Sequence, residues 1–160
     1  MKTLLLGMGN PILTDDAVGV RLARDLAARL DRTPALDVVP ECSVGGLNLL
    51  DVLAGYERAV VLDSIRTADG VPGDWYRFTA AGLRDTLHLR NVHDVNLATA
   101  LELGRRTGMH LPRDENIHIF AVEIEDGATF GEALSPALEA AYPELLATLA
   151  DEVGSLLGRA

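Results

Sequence analysis

The first twenty residues hold the pattern that most restricts the fold. Leu4, Leu5 and Leu6 form a short unbroken apolar run, as expected of a strand covered on both faces. Gly7 and Gly9 then let the backbone turn without a Cβ penalty, and Pro11 stops the strand from continuing. Thr14 or Asp15 is placed to cap a helix that begins near Asp16. The chain therefore reads as strand, tight polar loop and helix start, with two adjacent carboxylates at that start. Open α/β sheets place their ligand sites here, beyond the carboxyl ends of the strands. An exposed carboxylate at such a helix start gains about 0.3–1 kcal/mol from the helix dipole.

The rest of the chain repeats this alternation. Val18, Leu22, Leu26 and Leu30 recur every fourth residue, an amphipathic helix that ends by Pro34. Leu36–Cys42 reads as a second strand, which Pro40 confines to a sheet edge or to pairing over its first half. Leu47–Leu53 reads as a short helix, and residues 58–63 as a buried strand ending on Asp63. Residues 74–79 alternate as an edge strand around Trp75, whereas residues 80–92 show no clear period. Asp94 is suited to cap a helix ending at Gly104 or Gly108, and residues 116–125 read as the last strand. Ser135 and Pro136 open a final helix, with Pro143 predicting a break or kink at Tyr142. Strands alternating with helices predict parallel pairing through right-handed crossovers. The expectation is an α/β three-layer sandwich: one domain over residues 1–160, a mostly parallel sheet of about five strands, and helices on both faces.

Composition bounds the partners. A formal net charge of −10 argues against nucleic acid, whose phosphates need concentrated Lys and Arg. The single cysteine, Cys42, has no partner for an internal disulfide, which favours a reducing compartment. Leu4 to Leu6 is far too short for a signal peptide, and no stretch approaches the roughly 20 apolar residues of a membrane span. The protein is read as cytoplasmic, with no membrane association.

In a parallel sheet, three side chains would gather on one rim. Asp16 follows the first strand, Asp63 ends the third, and His93 precedes a helix. Two carboxylates and one imidazole suit a borderline divalent ion such as nickel or zinc. Each residue also has a simpler reading. Asp15 and Asp16 both suit capping, Asp63 suits the turn into Ser64, and His88 competes with His93. His110 falls in a loop and His118 alternates outward on a strand. Cys42 has no basic neighbour in sequence and reads as an inert buried thiol. The glycine pair is too short for a dinucleotide fingerprint, since Ile12 stands where the third glycine belongs. Neither Ser43 nor Ser64 sits in a Gly-x-Ser-x-Gly elbow.

The stretch Gly-Met-Gly-Asn-Pro-Ile-Leu-Thr-Asp-Asp-Ala-Val-Gly at 7–19 resembles the N-terminal signature of the hydrogenase maturation proteases. Val-Val-Leu-Asp-Ser-Ile at 60–65, His-Asp-Val-Asn-Leu at 93–97 and Glu-Ala-Leu-Ser-Pro-Ala-Leu-Glu-Ala-Ala-Tyr-Pro at 132–143 are similar to that family in order and spacing. Ala17 departs from the glycine that many members carry there. The resemblance implies an α/β sandwich and an endopeptidase that removes a C-terminal peptide from a nickel-loaded hydrogenase large-subunit precursor. Asp16, Asp63 and His93 would be its catalytic and metal-contacting residues, with nickel supplied by the substrate and no organic cofactor. Two other classes remain open: a non-catalytic nickel-sensing chaperone, and a nucleotide-handling α/β enzyme that cradles phosphate on the loop from Gly7 to Asn10.

Overall fold

The Leu4–Leu6 run lies inside a five-stranded sheet in the computed structural model, which describes residues 1–30, 34–44, 47–83 and 92–158, the side chains of residues 92–96 excepted. The strands are β1 (Thr3–Met8), β2 (Leu36–Cys42), β3 (Arg58–Ile65), β4 (Trp75–Thr79) and β5 (Ile117–Glu123). Their spatial order is β2-β1-β3-β5-β4, with every pair parallel except β4 against β5. The expected parallel sheet of about five strands is present, and Pro40 lies on the edge strand β2, as its missing N–H requires.

Alternation along each strand sorts the core into two halves. Leu5, Val60, Leu62, Phe120 and Val122 face α1 (Val18–Arg29) and α5 (Pro136–Gly158). Leu4, Leu6, Val61, Ile117 and Ile119 face α2 (Leu47–Leu53) and α4 (Val92–Arg106), with the short α3 (Ala80–Leu83) at that side. Helices therefore cover both faces, and β1 and β3 are buried along their whole length. That burial explains why these two strands read as continuous apolar runs rather than as alternating ones.

Local details depart from the sequence reading in four places. No side chain caps α1; a 3-10 turn over Thr14–Ala17 precedes it, and both Thr14 and Asp15 bond to a distant loop instead. The helix α4 starts at Val92, so His93 and Asp94 lie inside its first turn rather than before it. The strand β3 runs on to Ile65, two residues past Asp63. Pro143 does not break α5, a single helix of 23 residues that contains it. A buried stripe of Leu138, Tyr142, Leu145, Leu146, Leu149 and Val153 holds that helix on the sheet. Packing of this size outweighs the single backbone hydrogen bond that proline removes.

Candidate active site

The chain leaves β1 for β2 on one side and returns to β3 on the other, so the order of strands reverses between β1 and β3. A crevice opens at such a switch point, outside the carboxyl ends of the two strands. Asp16 follows β1 and Asp63 lies near the end of β3. Both line a cleft of about 160 Å³, together with Met8, Gly9, Asn10, Cys42 and Ser43.

The loop after β1 is fixed by its own backbone. Gly9 N–H donates to the Cys42 carbonyl at 3.1 Å, and Ile12 N–H donates to the Asn10 side-chain oxygen at 3.1 Å. Gly9 adopts φ +133°, and a Cβ there would collide with the Asp16 carbonyl. Glycine is required at this point because the loop folds back directly onto the residue that carries the carboxylate. Gly19 answers to a different constraint: a Cβ would strike the carbonyls of Leu62 and Met8, where α1 presses on the ends of β1 and β3.

Asp16 is held at both oxygens. Asn10 N–H donates to Oδ2 at 2.8 Å, and the Ser64 hydroxyl donates to Oδ1 at 3.0 Å. Ser64 also donates its backbone N–H to Asp63 Oδ1 at 2.8 Å. One residue thus connects two acidic side chains that approach the cleft from different elements, the 3-10 turn after β1 and the strand β3. Asp63 is buried and Asp16 half-buried. Sequence reasoning found both carboxylates but rejected Ser64 as a nucleophile without seeing this bridging position. Its only sequence signal is adjacency to Asp63, since Ser64 turns to the face opposite Asp63 and there meets Asp16.

Asp15 has a different fate from its neighbour. It is fully buried, and its Oδ2 accepts from the N–H groups of Glu125 and Asp126 at 3.0 and 2.9 Å. Ser135 adds its N–H to Oδ1 at 2.6 Å and its hydroxyl to Oδ2 at 2.7 Å. The carboxylate therefore ties both ends of the loop between β5 and α5 to the turn that carries Asp16.

Cys42 is buried, as expected, yet its strand end opens onto the cleft. Burial pushes its thiol above the ordinary value, and the Asp63 charge adds to that. Such a thiol is a poor nucleophile at neutral pH. His110 is exposed at the other end of the sheet, where its carbonyl accepts from Gly55 before β3 begins. His118 does not point outward as expected: it is half-buried in β5, and its Nδ1 has no hydrogen-bond partner among the described residues. Burial, reinforced by Arg77 and Arg58, holds its imidazole below the usual histidine range. His88 lies outside the described residues, as does the side chain of His93. The last turn of α4 lies beside the segment that leads into β5, where Arg105 donates to the Pro112 carbonyl at 2.7 Å. Among the described residues, no group of three His, Cys, Asp or Glu side chains is arranged to hold a metal ion.

Sequence reasoning also missed Glu123. Buried at the end of β5, it accepts from the Tyr76 hydroxyl at 3.1 Å, from Thr67 N–H at 3.2 Å and from the Thr67 hydroxyl. It closes the loop between β3 and β4 over the same rim. A glutamate at the end of an alternating strand gives no local sign of that burial.

The fold has clear counterparts. A family model described as hydrogenase maturation protease matches residues 20–152. This chain belongs to the hydrogenase maturation protease family. Its similarity extends to the hydrogenase 2 maturation protease of Escherichia coli, 26% identical over 155 residues, covering 93% of this chain and 91% of that protein. Among solved structures, the hydrogenase maturating endopeptidase HybD of Escherichia coli superposes with a TM-score of 0.68 at 25% identity, over 93% of this chain and 90% of that one. The NiFe hydrogenase maturation protease HybD of Thermococcus kodakarensis gives 0.73 at 23% identity, over 96% and 99%, a likeness of fold. The matched interval contains Asp63 and His93, while Asp16 lies just before it. The protein is thus a protease of hydrogenase maturation, and no described helix is long and apolar enough to cross a membrane.

Proposed function

We propose that this protease removes a C-terminal peptide from a hydrogenase large-subunit precursor already loaded with nickel. Asp16 and Asp63, with His93 from the first turn of α4, contact the nickel that the substrate brings. The observation that carries this reading is the placing of Asp16 and Asp63 on one cleft at the strand-order reversal, joined through Ser64. Carboxylate oxygens and an imidazole nitrogen suit a divalent metal with positions left open for its own ligands. Metal contact brings the scissile amide to the cleft and polarises its carbonyl. Water adds to that carbonyl, and a cleft carboxylate takes the proton. The proton then passes to the leaving nitrogen as the C–N bond breaks.

The phosphate-cradle alternative fits the loop poorly. The N–H groups of Gly9 and Asn10 are already spent on the Cys42 carbonyl and the Asp16 carboxylate. A bound anion would also have to displace a fixed negative charge. The chaperone alternative is separated by mass. Incubating nickel-loaded precursor with this protein is expected to yield a large subunit shortened at its C-terminus. Asp16→Asn, Asp63→Asn and His93→Ala are expected to leave the mass unchanged. Co-elution with the wild type and no loss of mass would make the protein a chaperone instead.

A further inference from the structure

We infer that a surface centred on Phe130, adjoining the cleft, docks the folded body of the protein substrate; this rests on the protease reading above. Phe130 is 78% exposed and Ile12 50%, in a chain with only three phenylalanines. The loop that presents Phe130 is firmly held. Phe130 pairs with Leu13 as an antiparallel bridge, and Gly131 N–H donates to the Ile12 carbonyl at 2.9 Å. The Thr14 hydroxyl donates to the Thr129 carbonyl at 2.7 Å. Asp126 Oδ1 accepts from the N–H groups of Ala128 and Thr129, each at 3.0 Å, and Asp15 clamps both ends of the loop. A backbone this constrained cannot fold Phe130 inward, so the ring stays in water until another surface covers it.

Ile12 and the cleft residue Asn10 belong to one loop. Ile12 N–H bonds to the Asn10 side chain, and Asn10 N–H bonds to Asp16, so the apolar surface and the candidate catalytic carboxylate share one short loop. Charge selects the occupant. Glu125, Asp126 and Glu132 flank Phe130, with Arg66 close to Asp126, and the whole chain carries a net charge of −10. A second copy would bring like charge against like. The fitting partner is a protein with an apolar patch ringed by Lys and Arg, and the subunit whose tail enters the cleft is the protein that must approach this face.

The test is steady-state cleavage of full-length nickel-loaded precursor, read by mass. Phe130→Ala with Ile12→Ala is expected to raise KM about tenfold or more, as truncation of an interface anchor does. The melting temperature and kcat should stay near wild type. Glu125→Lys with Glu132→Lys should raise KM as well, whereas Leu103→Ala, another exposed apolar residue on α4, should not. If the wild type cuts and the Phe130 and Ile12 variant cuts with unchanged KM, the docking surface is refuted. If the wild type elutes as a dimer that Phe130→Ala splits, the occupant is a second copy and the inference is likewise overturned. Failure of the wild type to cut at all refutes the protease reading itself, a different outcome.

Discussion

Asp15 and Asp16 are consecutive, bear the same side chain and end in opposite surroundings. Around Asp15 every donor comes from the loop between β5 and α5, and water is excluded. Around Asp16 one donor comes from its own loop and one from β3, and the carboxylate borders an open cleft. The first arrangement spends the whole acceptor capacity of a carboxylate on holding two segments together. The second orients a carboxylate and leaves it accessible to an incoming group. Two acids side by side at a helix start can therefore serve different ends, because the residue turned inward builds the platform on which its neighbour works.

Asp15→Ala should show the largest effect. It would leave buried N–H groups and a hydroxyl unpaired, costing about 3–5 kcal/mol. For a chain of this size that lowers the melting temperature by roughly 10 °C or more. Asp16→Ala should cost only about 1 kcal/mol in urea unfolding, because its site is partly hydrated. Equal destabilisation by the two variants would erase the distinction.

Activity should invert the order. Asp16→Asn and Asp63→Asn are expected to slow precursor cleavage at least about a hundredfold, equivalent to about 2.7 kcal/mol, with melting close to wild type. Wild-type cleavage by both would show the cleft assignment to be wrong.

Ser64→Ala should fall between the two kinds of effect. Losing one hydrogen bond to Asp16 Oδ1 is worth about 1 kcal/mol, so cleavage should drop roughly fivefold to tenfold while the fold persists. Unchanged kinetics would mean that Asn10 N–H alone orients Asp16.

The smallest effect concerns pH. Hydrogen bonds from Thr129 and Ala128, with the nearby Arg66 charge, hold the Asp126 carboxyl below the usual carboxylate range. A lowered folded value means that its contribution is complete above the ordinary carboxylate pKa. That contribution disappears as pH falls through the lowered value. Amide exchange at Ala128 and Thr129 should therefore quicken only in strong acid, and an Asp126→Asn variant should lose that dependence. Loosening of this turn near neutral pH would contradict the picture of a rigid Phe130 loop.

Much of this was legible in the chain. The apolar run of β1, the glycine–proline turn and the switch from two-residue to helical periodicity follow from local sterics, so the strands and most helices could be placed. Asp16 and Asp63 were accessible to the same reasoning, because residues that end parallel strands share a rim whatever the strand order. Ser64 and Glu123 were not, since each acquires its role from partners 48 and 56 residues away. The continuity of α5 through Pro143 was hidden for a related reason: helix breaking is a local tendency, and the opposing burial belongs to the whole sheet.

Taken alone, the amino-acid order determined the α/β alternation, the acidic rim and the family signature, each a matter of neighbours along the chain. Only the tertiary structure gave Asp15 its buried set of donors, set Ser64 between two carboxylates and held Phe130 out in water. Those outcomes depend on which distant donor reaches a given oxygen, and strand order settles that.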